Sequence, residues 1–140
     1  MPELEIIMKK DPNAILTLNS AFYYYGLTDT IPDHYYVATP KSNRKIEDVR
    51  VKQIYENSNA FEMGKTTIEY DGVDITIYNE ERLLIELIRN KRKFSFDLYK
   101  EIISNYRRRG STFIISIYHG QQASFSLQNL WWKNLALRSS

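Results

Sequence analysis

The chain has no cysteine, only two histidines, four prolines and five glycines in 140 residues. Each shortage excludes something. Without thiols there are no disulfides, no thiolate metal sites and no cysteine nucleophile, and a reducing compartment, the cytoplasm, is the expected location. His34 and His119 lie far apart, and neither has a second ligand at metal-binding spacing. The glycines nowhere take the spacing of a phosphate-cradling or dinucleotide-binding loop, and no Ser-His-Asp order is present. The expectation is therefore a protein that is not an enzyme and carries no cofactor. No stretch approaches the roughly 20 apolar residues of a membrane span, and the opening "MPELEIIMKKDPN" is charged rather than signal-like. A membrane partner is not expected.

What is present is enough to fold. Hydrophobic residues make up 43% of the chain, which suffices for one domain with a core. Eleven tyrosines stand against six phenylalanines. That ratio favours half-buried faces, where a ring packs while its hydroxyl stays wet. The net charge of +2 is unevenly spread. Between Arg89 and Arg109 eight Lys or Arg face two acids, Asp97 and Glu101, a local balance of +6, so the rest of the chain sums to −4.

The coarse pattern reads as mixed α/β, an antiparallel-containing sheet with a β-hairpin and helices on one face. "PELEIIMKK" is a short helix stopped at Asp11-Pro12, and "AILTL" a brief apolar run. Asn19 or Ser20 is an N-cap for "AFYYYGL", which ends at Gly26. "HYYVATP" is a strand closed by Pro40, "KSNRKIED" a polar loop, and "VRVKQIY" a half-buried alternating strand. In "KTTIEYDGVDITIYN" two alternating runs flank Asp71-Gly72, a dipeptide that accepts the positive φ angles of a type I′ hairpin. Ile68 and Tyr70 then share a face with Val73, Ile75 and Ile77. Asn79 caps the next helix, Glu80 and Glu81 complement its dipole, and Leu83, Leu84, Leu87 and Ile88 form its apolar stripe. Ser95 caps a last helix whose stripe is Phe96, Tyr99, Ile102, Ile103 and Tyr106.

Acids are the weaker candidates for chemistry. Glu80-Glu81 has dipole complementation as its bland reading. Glu69, Asp71 and Asp74 surround the hairpin turn without the lysine of a nuclease strand motif. Basic residues are the stronger ones. Arg89, Lys91, Arg92, Lys93, Arg107, Arg108 and Arg109 are the candidate surface for nucleic acid or a protein partner, set against simple capping of helix C-termini.

Several stretches resemble, in the right order, the C-terminal domain of AbiEi-family antitoxins of type IV toxin–antitoxin systems, which act in bacterial abortive phage infection. They are "YYYGLTDTIP", with Tyr24 where that family often has histidine, then "IYNEERLLIELIR" and "ISNYRRR". The likeness spans roughly residues 5–109. It implies a cytoplasmic antitoxin domain at 1–109 that neutralises a cognate AbiEii-type nucleotidyltransferase toxin without a stable complex. DNA or RNA is a second class of partner. The rival readings are a DNA-binding regulator of its own operon and a kinase-like antitoxin that modifies the toxin. Two departures bear on this. The family's N-terminal winged helix has no room before residue 5, which makes tight operator binding by these residues unexpected. Beyond Gly110 charge nearly vanishes, and 110–140 is read as an atypical tail of a truncated or frame-shifted product. In that tail Phe113–Tyr118 is strand-like and "SFSLQNLWWKNLALR" helical.

Overall fold

The computed structural model describes residues 3–109, which divide into two units, 3–83 and 84–109. The tail, with its expected strand, its expected helix and His119, lies outside the described residues.

In the first unit, α1 (Glu3–Lys9) has acids in its first turn, Lys9 in its last, and Leu4 and Ile7 buried one turn apart. A five-stranded mixed sheet follows, in the order β3-β2-β1-β5-β4. Its strands are β1 (Ile15–Leu16), β2 (Tyr35–Pro40), β3 (Val51–Glu56), β4 (Lys65–Tyr70) and β5 (Val73–Tyr78). The two-residue β1 is the centre of the sheet. It runs antiparallel to β2 and parallel to β5, and both its residues are fully buried. "AILTL" is thus a central strand buried on both faces, which explains why it is apolar throughout rather than alternating.

β2 and β3 are parallel neighbours joined only by residues 41–50. Returning along a six-residue strand needs about 20 Å, and ten extended residues reach roughly 33 Å. No crossover helix is required. The Gln53 amide fastens this loop: its oxygen accepts from Ile46 N at 2.7 Å, and its nitrogen donates to Thr39 Oγ1 at 2.8 Å and to the Arg44 carbonyl at 3.1 Å.

The hairpin forms as its sequence predicts. Tyr70 pairs with Val73, Ile68 with Ile75 and Thr66 with Ile77, which puts the expected residues on one face. Asp71 has φ 51° and Gly72 φ 80°, the left-handed pair of a type I′ turn.

Between β1 and β2 lies α2 (Leu18–Tyr24), packed against β2. Its N-cap corrects the expectation of Asn19 or Ser20. Thr17 is the extended cap residue, and the chain reverses at Leu18 with φ 44°. Ser20 instead is fully buried and ties two elements together: its hydroxyl donates to the His34 carbonyl at 3.1 Å and accepts from Tyr36 N at 2.9 Å. The C-terminus of α2 ends as expected at Gly26, with φ 75°. Leu27 N reaches the Phe22 carbonyl at 2.8 Å and Gly26 N the Tyr23 carbonyl at 2.9 Å, the paired bonds of a Schellman cap. A short helix unforeseen in the sequence, α3 (Ser58–Phe61), buries Ala60 and Phe61.

α4 (Glu80–Arg89) begins in the first unit and ends in the second. Asn79 caps it, its Oδ1 accepting from Arg82 N at 2.8 Å. Leu83, Leu84 and Leu87 are fully buried, but so nearly are Ile85 and Glu86, so burial runs round the helix instead of along one stripe. After a 3₁₀ turn at Lys91–Lys93 comes α5 (Phe96–Arg109), capped by Ser95 Oγ at 3.2 Å from Leu98 N. Ile102 and Tyr106 are buried as expected. Phe96 is not: it is 75% exposed, and Phe94, just ahead of the cap, is the buried ring. Among the described residues no helix is long and apolar enough to cross a membrane.

Candidate functional site

In the second unit the structure sorts the seven basic candidates into two kinds. Lys91, Arg92 and Lys93 are all exposed on the 3₁₀ turn, and the Lys91 ammonium lies 5.3 Å from the Tyr99 ring centre. Arg107, Arg108 and Arg109 are exposed on the last turn of α5, where they complement the helix dipole. Fourteen residues at 1.5 Å rise put these two groups about 20 Å apart. Arg89 is different. Its side chain is only 4% exposed and meets the Glu86 carboxylate, itself 5% exposed, at 3.0 Å. Asn90 Nδ2 donates to the Glu86 carbonyl at 2.7 Å and so ties the same corner. Arg89 is therefore a structural residue of this unit, and the exposed basic surface is made by the other six.

A buried guanidinium is the main polar feature of the first unit. Arg82 is fully buried. One of its amino groups donates to the carbonyls of Ala60 at 2.7 Å and Met63 at 2.6 Å; the other faces Glu56 Oε2 at 3.4 Å. Its central carbon lies 4.0 Å from the centre of the Tyr78 ring. Gly64, with φ 80°, passes so close that a Cβ there would stand 2.6 Å from Arg82 Cβ. One side chain thus joins the end of β3, the α3 corner, the end of β5 and the start of α4. The acid that Arg82 meets beside the sheet is Glu56, at the end of β3. Tyr25 makes a parallel tie, its hydroxyl donating to the Tyr78 carbonyl at 2.9 Å, and burial pushes its pKa up to about 12.

The first unit also has a pocket of about 240 Å³ walled by Tyr23, Tyr24, Tyr35 and His34, with Glu3, Asp33 and Arg50 at its polar edge. In the sequence, "FYYYGL" shows only a helix and its stop. That its tyrosines, with those of β2, surround a cavity depends on α2 packing against β2, which no local pattern contains.

The acids weighed as catalytic do not converge. Glu69 and Asp74 face each other across the hairpin, and both are exposed. Among the described residues no three acidic or histidine side chains are grouped as a metal would need. Burial holds the Glu81 carboxyl above its ordinary range. The chain matches no known protein family and no curated protein.

Proposed function

We propose that this chain is an antitoxin-type domain that neutralises a cognate nucleotidyltransferase toxin of a type IV toxin–antitoxin system, and that Lys91, Arg92, Lys93, Arg107, Arg108 and Arg109 are its working surface. One observation carries the reading. Two of the three stretches in which the chain resembles AbiEi antitoxins hold residues on which its architecture turns, while the third, "ISNYRRR", supplies the exposed Arg107, Arg108 and Arg109. Gly26, Leu27 and Thr28 of "GLTD" form the helix stop and buried turn that lead towards β2, and Arg82 of "EERLLIELIR" is the buried joint. Motifs that specify a fold argue for shared descent more strongly than motifs on a free surface, which any acidic or basic patch can imitate.

The exposed cations supply the chemistry. Two groups of three positive charges about 20 Å apart suit an extended acidic partner, either a nucleic acid or a toxin face that itself handles nucleic acid. Capping of helix ends makes a different forecast, so the two separate by experiment. The gene's surroundings are searched for a nucleotidyltransferase-like reading frame, that frame is expressed in cells with the wild-type chain or with all six residues changed to Ala, and the same variants are melted in vitro. Rescue of growth by the wild type and its loss in a folded six-Ala variant support the proposal. Full rescue by the six-Ala variant removes the basic surface from the mechanism, and failure of the wild type to rescue overturns the antitoxin reading itself. Nucleic-acid contact through these residues is expected to be phosphate-directed, steeply salt-dependent and indifferent to sequence. A gel-shift showing tight, sequence-selective binding at physiological salt favours the operon-regulator reading instead.

A further inference from the structure

We propose that the tyrosine-walled pocket of the first unit binds an organic cation, an ammonium or guanidinium head on an aliphatic stem, between Tyr23, Tyr24 and Tyr35 and beside the carboxylates of Glu3 and Asp33. The walls come first. Tyr23 and Tyr24 are successive residues of α2 whose rings stand at 85° with centres 5.5 Å apart. Tyr24 in turn stands at 88° to Tyr70 with centres 4.7 Å apart, so the rings hold one another in place and the guest lies in the pocket that Tyr23 and Tyr24 line with Tyr35. Tyr35, the first residue of β2, supplies a third phenol. Aromatic faces carry negative quadrupole density and attract cations. The phenols also remain neutral: burial, followed by the neighbouring tyrosines, raises Tyr24 to about 12, and burial raises Tyr35 as well.

The charges favour the same guest. Two carboxylates and one guanidinium edge the pocket. That guanidinium is already engaged: Arg50 Nε and Nη2 donate to the two oxygens of Asp48 at 3.0 and 2.7 Å, and Nη1 lies 3.5 Å from Glu3. Asp33 accepts from the Tyr36 hydroxyl at 2.9 Å and stands 3.2 Å from His34 Nδ1, yet its side chain is 70% exposed and stays ionised, its pKa lowered first by the Tyr36 hydrogen bond. An anionic guest would meet two carboxylates against one guanidinium, while a neutral aromatic guest would leave the carboxylates without a role. The volume of about 240 Å³ lies below the usual range for drug-sized ligands, and it suits a single cationic head. At the edge, Pro32 and Ile31, the latter 75% exposed, offer an apolar lip along which a methylene stem would lie. The inference does not depend on the antitoxin reading.

The test is an NMR titration of the full chain with three probes: N-acetyl-arginine methylamide, its neutral isostere N-acetyl-citrulline methylamide, and tetramethylammonium. Saturable shifts with the arginine probe, confined to the pocket residues, are expected, with citrulline at least about tenfold weaker. Tighter binding of the arginine probe than of tetramethylammonium marks the natural guest as a basic side chain of a protein; the reverse order marks it as a free small cation. Tyr23→Leu with Asp33→Asn is expected to weaken the arginine probe by about tenfold or more. Asp33→Asn alone, at an exposed side chain, keeps the test decisive if the double variant unfolds. Absence of saturable shifts with either cation, equal binding of citrulline, or unchanged affinity in a variant whose spectrum shows it folded overturns the proposal.

Discussion

Positive charge is handled in opposite ways at the Arg82 joint of the first unit and at the exposed basic groups of the second. In residues 3–83, Arg82 is enclosed and its donors are answered by two backbone carbonyls and the Glu56 carboxylate. In residues 84–109, six cations stand in solvent on a short turn and a helix end, while Arg89 is enclosed by Glu86. A buried charge is kept only where fixed partners offset its desolvation, so it becomes a joint that cannot be altered cheaply. An exposed charge is screened, adds little to stability and is left available to a partner. The same kind of side chain is architecture in one place and solvent-facing in the other.

The largest effect that sharpens this contrast is expected from Arg82→Ala. It strips the donor from the carbonyls of Ala60 and Met63 and removes the charge beside Glu56. A loss of about 3–5 kcal/mol is expected from urea unfolding, against about 1–3 kcal/mol for the six-Ala variant of the exposed cations, a few tenths at each position. Equal losses in the two variants would erase the distinction between joint and surface. Next comes Gly64→Ala, which leaves every charge in place. The new Cβ must sit at φ 80° and 2.6 Å from Arg82 Cβ, and about 2–3 kcal/mol is expected from strain and displacement together. A stability within experimental error of the wild type would mean that the Arg82 joint tolerates movement.

A smaller effect is set by pH. Burial raises Tyr25 from an ordinary 10.0 to about 12, so the folded state favours its protonated phenol. That contribution is complete below pH 10 and is lost as pH rises towards 12. Urea midpoints should therefore fall across this window as phenolate absorbance rises. Tyr25→Phe should flatten the fall without abolishing it, since Tyr24 and Tyr36 are raised to about 12 as well. An unaltered slope would mean that burial of Tyr25 does not set the pH dependence.

Short-range chemistry along the chain determines a large part of this fold. Asp71-Gly72 specifies its hairpin because positive φ at two successive residues is cheap there and costly elsewhere. Asn79 and Ser95 start their helices because their side chains satisfy amides only three residues away. Gly26 ends α2 for the same short-range reason. The exposed basic groups of the second unit are legible too, because charge is a property of residue type. Where periodicity is short or two candidates lie side by side, the tertiary fold decides. Thr17 rather than Ser20 is the cap because Ser20 is drawn to His34 and Tyr36, fourteen and sixteen residues away. Phe94 goes inside and Phe96 outside, although helical spacing favours the latter. Two apolar residues at β1 become the middle of a sheet only because β2 and β5 flank them. The enclosure of Arg82 and Arg89, and the gathering of tyrosines from α2 and β2 around one pocket, rest on partners that the sequence orders but does not place. Hydrogen bonds within one turn can be read along the chain, whereas burial is a property of what arrives from elsewhere.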